Sequence, residues 1–406
     1  MSLQTFAVSG HARVLIKNAS ERVIITGWDE DQVSVNNGST RQDGDTISIE
    51  NVERVSVRVP RTADLFVGDC SADVRIDDIA GQVRLEQIDG DVILHRLQGE
   101  VQVHDLEGDL IARDTRTLRS DGLVDGNVTL RGVDQAELSE IEGDISADDT
   151  GALTVQKLDG DLSVHGAHGP LALGAVDGDV SVREQVGDLR IEHVRGDVIA
   201  AVMGAVDAQD VEGDAAISLS ADAPVALQAD GDVVLTLPDE SNLALELDAP
   251  RGNVVTRAPI KVTAQERDHV VGTTGNGGPH VQVESTRGDV IVRTGSAERR
   301  SGRREHFGVS FGAEFAGMGE QIAAEVHDSI LQSLADFKMH GRRGQPWFRS
   351  WVPPEEQTSQ GQPTPPPVEE QPAPSVSPAE RKAILDAIER GELSVDEAIR
   401  RLKGEG

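Results

Sequence analysis

Residues Val176 to Val198 read "VDGDVSVREQVGDLRIEHVRGDV", and this stretch decides the fold. Gly-Asp-aliphatic occurs at Gly178, Gly187 and Gly196, nine residues apart each time. Outward from there, the fuller motif aliphatic–acid–Gly–Asp–aliphatic recurs as IDGDV, LEGDL, VDGNV, IEGDI, LDGDL, VDGDV, VRGDV, VEGDA and ADGDV. Its glycines are Gly90, Gly108, Gly126, Gly143, Gly160, Gly178, Gly196, Gly213 and Gly231, at steps of 17 or 18. Weaker copies lie halfway, at Gly81, Gly99, Gly151, Gly169, Gly187 and Gly204. The unit is nine residues, and the stronger repeat is a pair of units.

Counting the glycine as position one, apolar residues fall at positions three, five and eight. Val92, Leu94 and Leu97 show this, as do Leu189, Ile191 and Val194. A step of two is a strand with one buried face, and the step of three marks a corner. Such a unit cannot bury its apolar edge alone, whereas stacked copies form one continuous core. The expected fold is mainly β: a parallel β-solenoid, or β-helix, with coils of about 18 residues. It is followed by an amphipathic helix, a Pro-rich linker and a small α-hairpin. An antiparallel sandwich also has short strands at this spacing, but its loops vary in length, and a run of steps of 17 or 18 favours the solenoid.

Five segments follow. Residues 1–80 carry longer alternating strands without the strict clock and read as an N-terminal β-strand cap region. Residues 81–296 are the solenoid repeat, and 297–352 a basic segment and amphipathic helix. Residues 353–378, rich in Pro, Gln and Glu, form a disordered linker, and 379–406 a helical hairpin.

Composition narrows the function. The net charge of the chain is −33, of which residues 1–295 carry −29. That surface repels phosphate backbones, so nucleic acid is excluded as a partner. There is no Tyr, and the core must be built from Val, Leu, Ile and Ala. Cys70 is the only cysteine, which rules out an intrachain disulfide. "MSLQTFAVSGHARV" lacks a basic start followed by an apolar run, and no stretch approaches the length of a membrane span. A cytoplasmic protein without cofactors is the expectation.

The aspartates after the glycines are the best candidates for chemistry. With their glycines we read them as structural turn residues: Gly90 and Asp91, Gly108 and Asp109, Gly126, Gly143 and Asp144, Gly160 and Asp161, Gly178 and Asp179, Gly196 and Asp197, Gly213 and Asp214, Gly231 and Asp232. Coils about 4.8 Å apart set neighbouring charges against each other by roughly 1 kcal/mol in water. An Asx-turn, in which Asp accepts from N–H groups of its own turn, would offset this, and Asn127 can do the same uncharged. Bound Ca²⁺ is the alternative, with Asp161, Asp179 and Asp197 as ligands. However, the calcium-binding nine-residue repeat has the pattern G-G-x-G-x-D-x-U-x, which this chain lacks.

Other motifs reduce to bland readings. Gly308-Val309-Ser310-Phe311-Gly312 fits G-x-S-x-G, but no strand–turn–helix context surrounds it. Arg195-Gly196-Asp197 and Arg287-Gly288-Asp289 lie in phase with the glycine clock. His165 and His168 have H-x-x-H spacing without a third ligand in reach.

The ordered set "VIITGWDEDQVSV", "VSVRVPRTADLFV", the Gly-Asp-aliphatic series, "DVVLTLPDESNLALEL" and "GTTGNGGPHVQVESTRGDVIVRTG" resembles the bacterial "putative adhesin" β-strand-repeat family, domain of unknown function 4097. The resemblance implies a β-solenoid with a loose association to envelope-stress systems and no established activity.

In "FAGMGEQIAAEVHDSILQSLADFKMH", Phe315, Met318, Ile322, Val326, Ile330, Leu334 and Phe337 step by three or four onto one helix face. That stripe is expected to pack on the solenoid end or on a second copy. "GRRGQPWFRSW" mixes Arg with Trp and leaves membrane-surface contact open. "SPAERKAILDAIERGELSVDEAIRRL" carries two capping boxes and resembles SHOCT-like helical hairpins, with Ile384, Leu385, Ile388, Ile399 and Leu402 as docking residues. The resemblance implies oligomerisation or protein contacts.

Together these features point to a non-enzymatic scaffold. Its partners would be other proteins, reached through the C-terminal helices, and further copies of itself. The alternatives are an extracellular or envelope-associated adhesin or ligand-binding protein, and last a carbohydrate-active β-helix enzyme.

Overall fold

The computed structural model describes residues 3–8 and 11–295, and every helix or strand in them is a β-strand. The expected amphipathic helix, the linker and the hairpin lie outside the described residues. Among the described residues no helix is long and apolar enough to cross a membrane.

The strands stack in parallel, one coil on the next, as the repeat foretells. On one side of the coil Val83 pairs with Val101, Val101 with Leu118, Leu118 with Ala136 and Ala136 with Leu153. On the other side Val92 pairs with Leu110, Leu110 with Val128, Val128 with Ile145 and Ile145 with Leu162. We call these the first and second faces. Identical unit positions therefore sit above one another, and each aliphatic column is continuous. Val92, Leu94, Leu97, Val101, Val103 and Leu106 are all within 1% of complete burial. The core is a thin layer between the faces, each such side chain contributing about 1.5–3 kcal/mol by its burial.

Position seven of the unit turns the chain. Arg96, Asp105, Asp114, Asp149 and Glu184 are left-handed, with φ between 51° and 55°. Gly132 and Gly166 occupy the same place at 61° and 69°. This single left-handed residue separates the strand pair at positions three and five from the buried side chain at position eight.

The parallel stack begins at Arg13, inside the segment that the sequence sets apart as a cap. Both ends depart from chain order. Arg13–Trp28 lies between Thr46–Pro60 and the coil formed by Asp64–Cys70 and Asp73–Asp77. The outer side of Thr46–Pro60 is covered by the antiparallel strands Gln32–Asn36 and Ser39–Asp43.

At the other end, Val281 sits between Val225 and Leu245, and Val290 between Val233 and Val254. The chain thus skips one level, builds the next coil, and returns to fill the gap with His280–Ser285 and Val290–Thr294. His269–Thr273 pairs antiparallel with Ala244–Asp248, and Lys261–Gln265 forms the exposed edge. Antiparallel closure with a Lys on the outermost strand blunts an edge that would otherwise template further pairing.

This order fixes a stability gradient. Val290–Thr294 is the last described strand but has a parallel neighbour on each side. In hydrogen exchange its amides are expected to be protected like those of Val233–Leu237, while Lys261–Gln265 exchanges early. Fraying of Val290–Thr294 before Lys261–Gln265 would contradict the order of coils.

Candidate functional site

The aspartate column is a hydrogen-bonded ladder. Asp109 Oδ1 accepts from the backbone N–H of Asn127 at 2.9 Å, and Asn127 Oδ1 from that of Asp144 at 3.0 Å. Asp144 accepts from Asp161 at 2.9 Å, and Asp161 from Asp179 at 2.8 Å. Asp179 accepts from Asp197, and Asp197 from Asp214, both at 2.7 Å. Asp214 accepts from Asp232 at 2.6 Å and Asp232 from Asp289 at 2.8 Å, and the ladder ends with Asn253 donating to Asp289 at 2.8 Å.

The expected Asx-turn is therefore corrected. Each carboxylate bonds the coil above it, not its own turn. The reason is geometric: with copies in register, the next coil's amide is the donor that stacking brings within 3 Å.

A hydrogen bond to a charged group contributes about 1.5–3 kcal/mol. Repulsion between neighbouring carboxylates is roughly 1 kcal/mol in water and several times that in a drier setting, and the ladder carboxylates are half-buried. The bonds offset the repulsion, and the charge itself remains a cost that the acceptor geometry has to outweigh.

The glycines serve the same approach. A Cβ on Gly108 would lie 2.6 Å from the carbonyl oxygen of Gly90, and one on Gly196 would lie 2.5 Å from that of Gly178 and collide with Asp179 Oδ1. Gly90, Gly108, Gly126, Gly143 and Gly160 also have φ between 142° and 155°, whereas Gly178, Gly196, Gly213 and Gly231 are not among the positive-φ residues. In this second group the requirement is space between coils rather than a turn conformation.

The other sequence candidates are absorbed into the stack. Arg195 Nη1 bonds Asp177 at 2.8 Å, and Asp197 is a ladder member, so the first Arg-Gly-Asp triplet is part of the wall. In the second, Arg287 pairs with Asp230 and Asp289 bonds Asn253. His165 Nδ1 lies 3.3 Å from Asp148 and His168 Nε2 2.9 Å from Asp149, two separate pairs. Asp161, Asp179 and Asp197 each give Oδ1 to an amide. Among the described residues no three His, Cys, Asp or Glu side chains converge as metal ligands. Ser310 and the docking residues Ile384, Leu385, Ile388, Ile399 and Leu402 lie outside the described residues. A second acidic column, Asp89, Glu107, Asp125, Glu142 and Asp159, is exposed along one corner and can present a line of negative charge.

The sequence reading missed how the two faces differ, a contrast visible at position four of the unit. On the first face the outward row is Arg84, Gln102, Arg119, Glu137, Thr154, Ala172, Arg190 and Asp207. On the second, after Arg75, it is the uncharged run Ile93, Ile111, Thr129, Ser146, Ser163, Ser181, Ile199, Ala216, Val234 and Ile291.

The fold and its ladder define a parallel β-solenoid repeat protein. Residues 119–293 match the Toastrack DUF4097 family model. Among solved structures, the "putative cell adhesion protein" of Clostridium sporogenes is similar at 7% identity and a TM-score of 0.13, over 72% of this chain and 99% of that one. At those values the likeness says nothing about activity. None of the curated proteins matches.

Burial raises the Asp197 carboxyl above the ordinary carboxylate range, opposed by the Asp214 N–H and reinforced by the charges of Asp179 and Asp214. A raised folded value favours the protonated form, so its contribution to stability is full below the unfolded pKa of about 3.9 and is lost as pH rises through the folded value. Asp197→Asn keeps the acceptor and removes the charge. In denaturant unfolding at neutral pH it is expected to match or exceed the parent by up to about 1 kcal/mol, the difference vanishing in acid. Asp197→Ala leaves the Asp214 N–H unpaired and should cost about 1–3 kcal/mol. Equal losses for Asn and Ala at neutral pH would contradict the ladder.

Proposed function

We propose that the protein is a non-enzymatic scaffold in which a rigid acidic solenoid carries C-terminal helices that engage other proteins or further copies of the chain. The observation that supports this reading most is the fate of the chemistry-bearing residues. The aspartates of the ladder, and many of the described histidines and arginines, bond from one coil to the next. The cleft lined by Asp230, Pro250, Arg251, Thr286 and Arg287 is no exception, since Asp230 there is already bonded to Thr286 and Arg287. A stack held by backbone pairing and by the ladder is stiff along its length, which suits a body that spaces and presents other elements.

Under this reading the chain works in the cytoplasm, and the hairpin of 379–406 is the adaptor. At this size a helical pair has too little core to stand alone, so it needs a partner surface. The alternative is an adhesin or ligand binder outside the cell, for which the solvated acidic column offers a charge-complementary edge. Cell fractionation separates the two readings.

The direct test uses the full chain with Ile388→Asp and Leu402→Asp together. The parent is expected to self-associate in light scattering or to retain partners in a pull-down, and the double variant to lose that association while its solenoid melts unchanged. Identical mass and identical partners for both proteins would overturn the adaptor role.

A further inference from the structure

Val233–Leu237 is buried at all five positions, although alternate residues point away from the core. Val234 is 7% and Thr236 9% exposed. Elsewhere in the outward row of the second face, Ile111 is 4% and Ser181 1% exposed, and the other members are half-buried. Ser181 Oγ is out of contact with water and has no hydrogen-bond partner. A half-exposed sheet alternates buried with exposed residues, and consecutive burial is the mark of a sheet covered on both sides. The described strands of this face pair edge to edge with one another.

We propose that the outward row of the second face is the docking surface for the amphipathic helix of residues 315–337 of the same chain. Four observations support this occupant. The first is chemistry: the row from Ile93 to Ile291 is aliphatic or small at every level, and the helix stripe from Phe315 to Phe337 is aliphatic and aromatic. The second is length. From Phe315 to Phe337 a helix rises about 33 Å. From Ile111 to Val234 there are seven steps between paired strands, about 34 Å at the spacing of neighbouring strands.

The third is position. Val290–Thr294 belongs to this same face, next to Val233–Leu237, and the 20 residues from there to Phe315 can reach any level of it, at up to about 3.3 Å each. The fourth is charge. Within a solenoid of net −29, the column beside the row runs His95, Arg113, Arg131, Asp148, His165 and Arg183, with Arg131 paired to Asp148, so it is basic on balance, while the helix carries Glu320, Glu325 and Asp328. Under this proposal the helix lies along the side of the solenoid, as distinct from its end or a second copy. The inference concerns the first helix only, so it stands or falls independently of the hairpin's adaptor role.

Maleimide labelling of the full-length chain tests it. Cys70 is buried, its thiol pushed up by that burial, and serves as the silent background. Ser181→Cys is expected to label at least about tenfold more slowly than Thr154→Cys, which lies exposed on the first face. Adding Ile322→Asp and Ile330→Asp should bring Ser181→Cys to within about threefold of Thr154→Cys, with the solenoid's melting transition retained. Equal labelling in the parent would overturn the proposal. So would protection that survives the helix substitutions, which would assign the burial to neighbouring strands. Protection lost on roughly hundredfold dilution would assign the covering element to a second copy and equally overturn it.

Discussion

The structure depends on a bond between a carboxylate and the backbone amide of the next coil. Parallel coils in register put identical residues on top of each other, so any charge in the repeat becomes a column of like charges. A chain at −29 over its first 295 residues could tolerate this only if the charge were put to use. The ladder does so: each Asp is acceptor to the amide above and donor, through its own N–H, to the carboxylate below. Asn127 in the middle of the run shows that acceptor geometry is the requirement and charge the incidental part, since its Oδ1 takes the Asp144 amide at 3.0 Å.

Close stacking in turn fixes the glycines, because the column leaves no room for a Cβ between one glycine and the carbonyl of the last. At many of the corners, a left-handed residue at position seven lets the strand fold back without losing register. The same register explains the ends. A coil can be placed out of chain order provided its glycine and aspartate meet the same partners. Gly288 and Asp289 stack on Gly231 and Asp232, and Gly252 and Asn253 stack on them in turn.

Much of this was legible in the sequence, and the limits are instructive. Positions three, five and eight gave the core, and the glycine steps gave the coil length, because both are local patterns. The partner of each Asp was not legible, because an Asx-turn and an inter-coil bond require the same residue at the same place and differ only in a donor 17 or 18 residues away. The returning coil of His280–Thr294 was hidden for a similar reason. Every coil carries the same signature, so the loosened steps to Gly252 and Gly288 read as decay of the repeat rather than as a change of order. The uncharged row at position four was present in the sequence, but only the paired faces, one charged and one not, give it meaning.

The two faces of this stack present different surfaces to their surroundings. That division rests on the ladder keeping the coils in register. A deuterated sample examined by NMR for scalar coupling across hydrogen bonds tests the ladder most directly. The account requires a correlation between the Asp197 carboxylate carbon and the Asp214 amide nitrogen, and another between Asp179 and the Asp197 amide. Correlations confined to amides within each aspartate's own turn would contradict it.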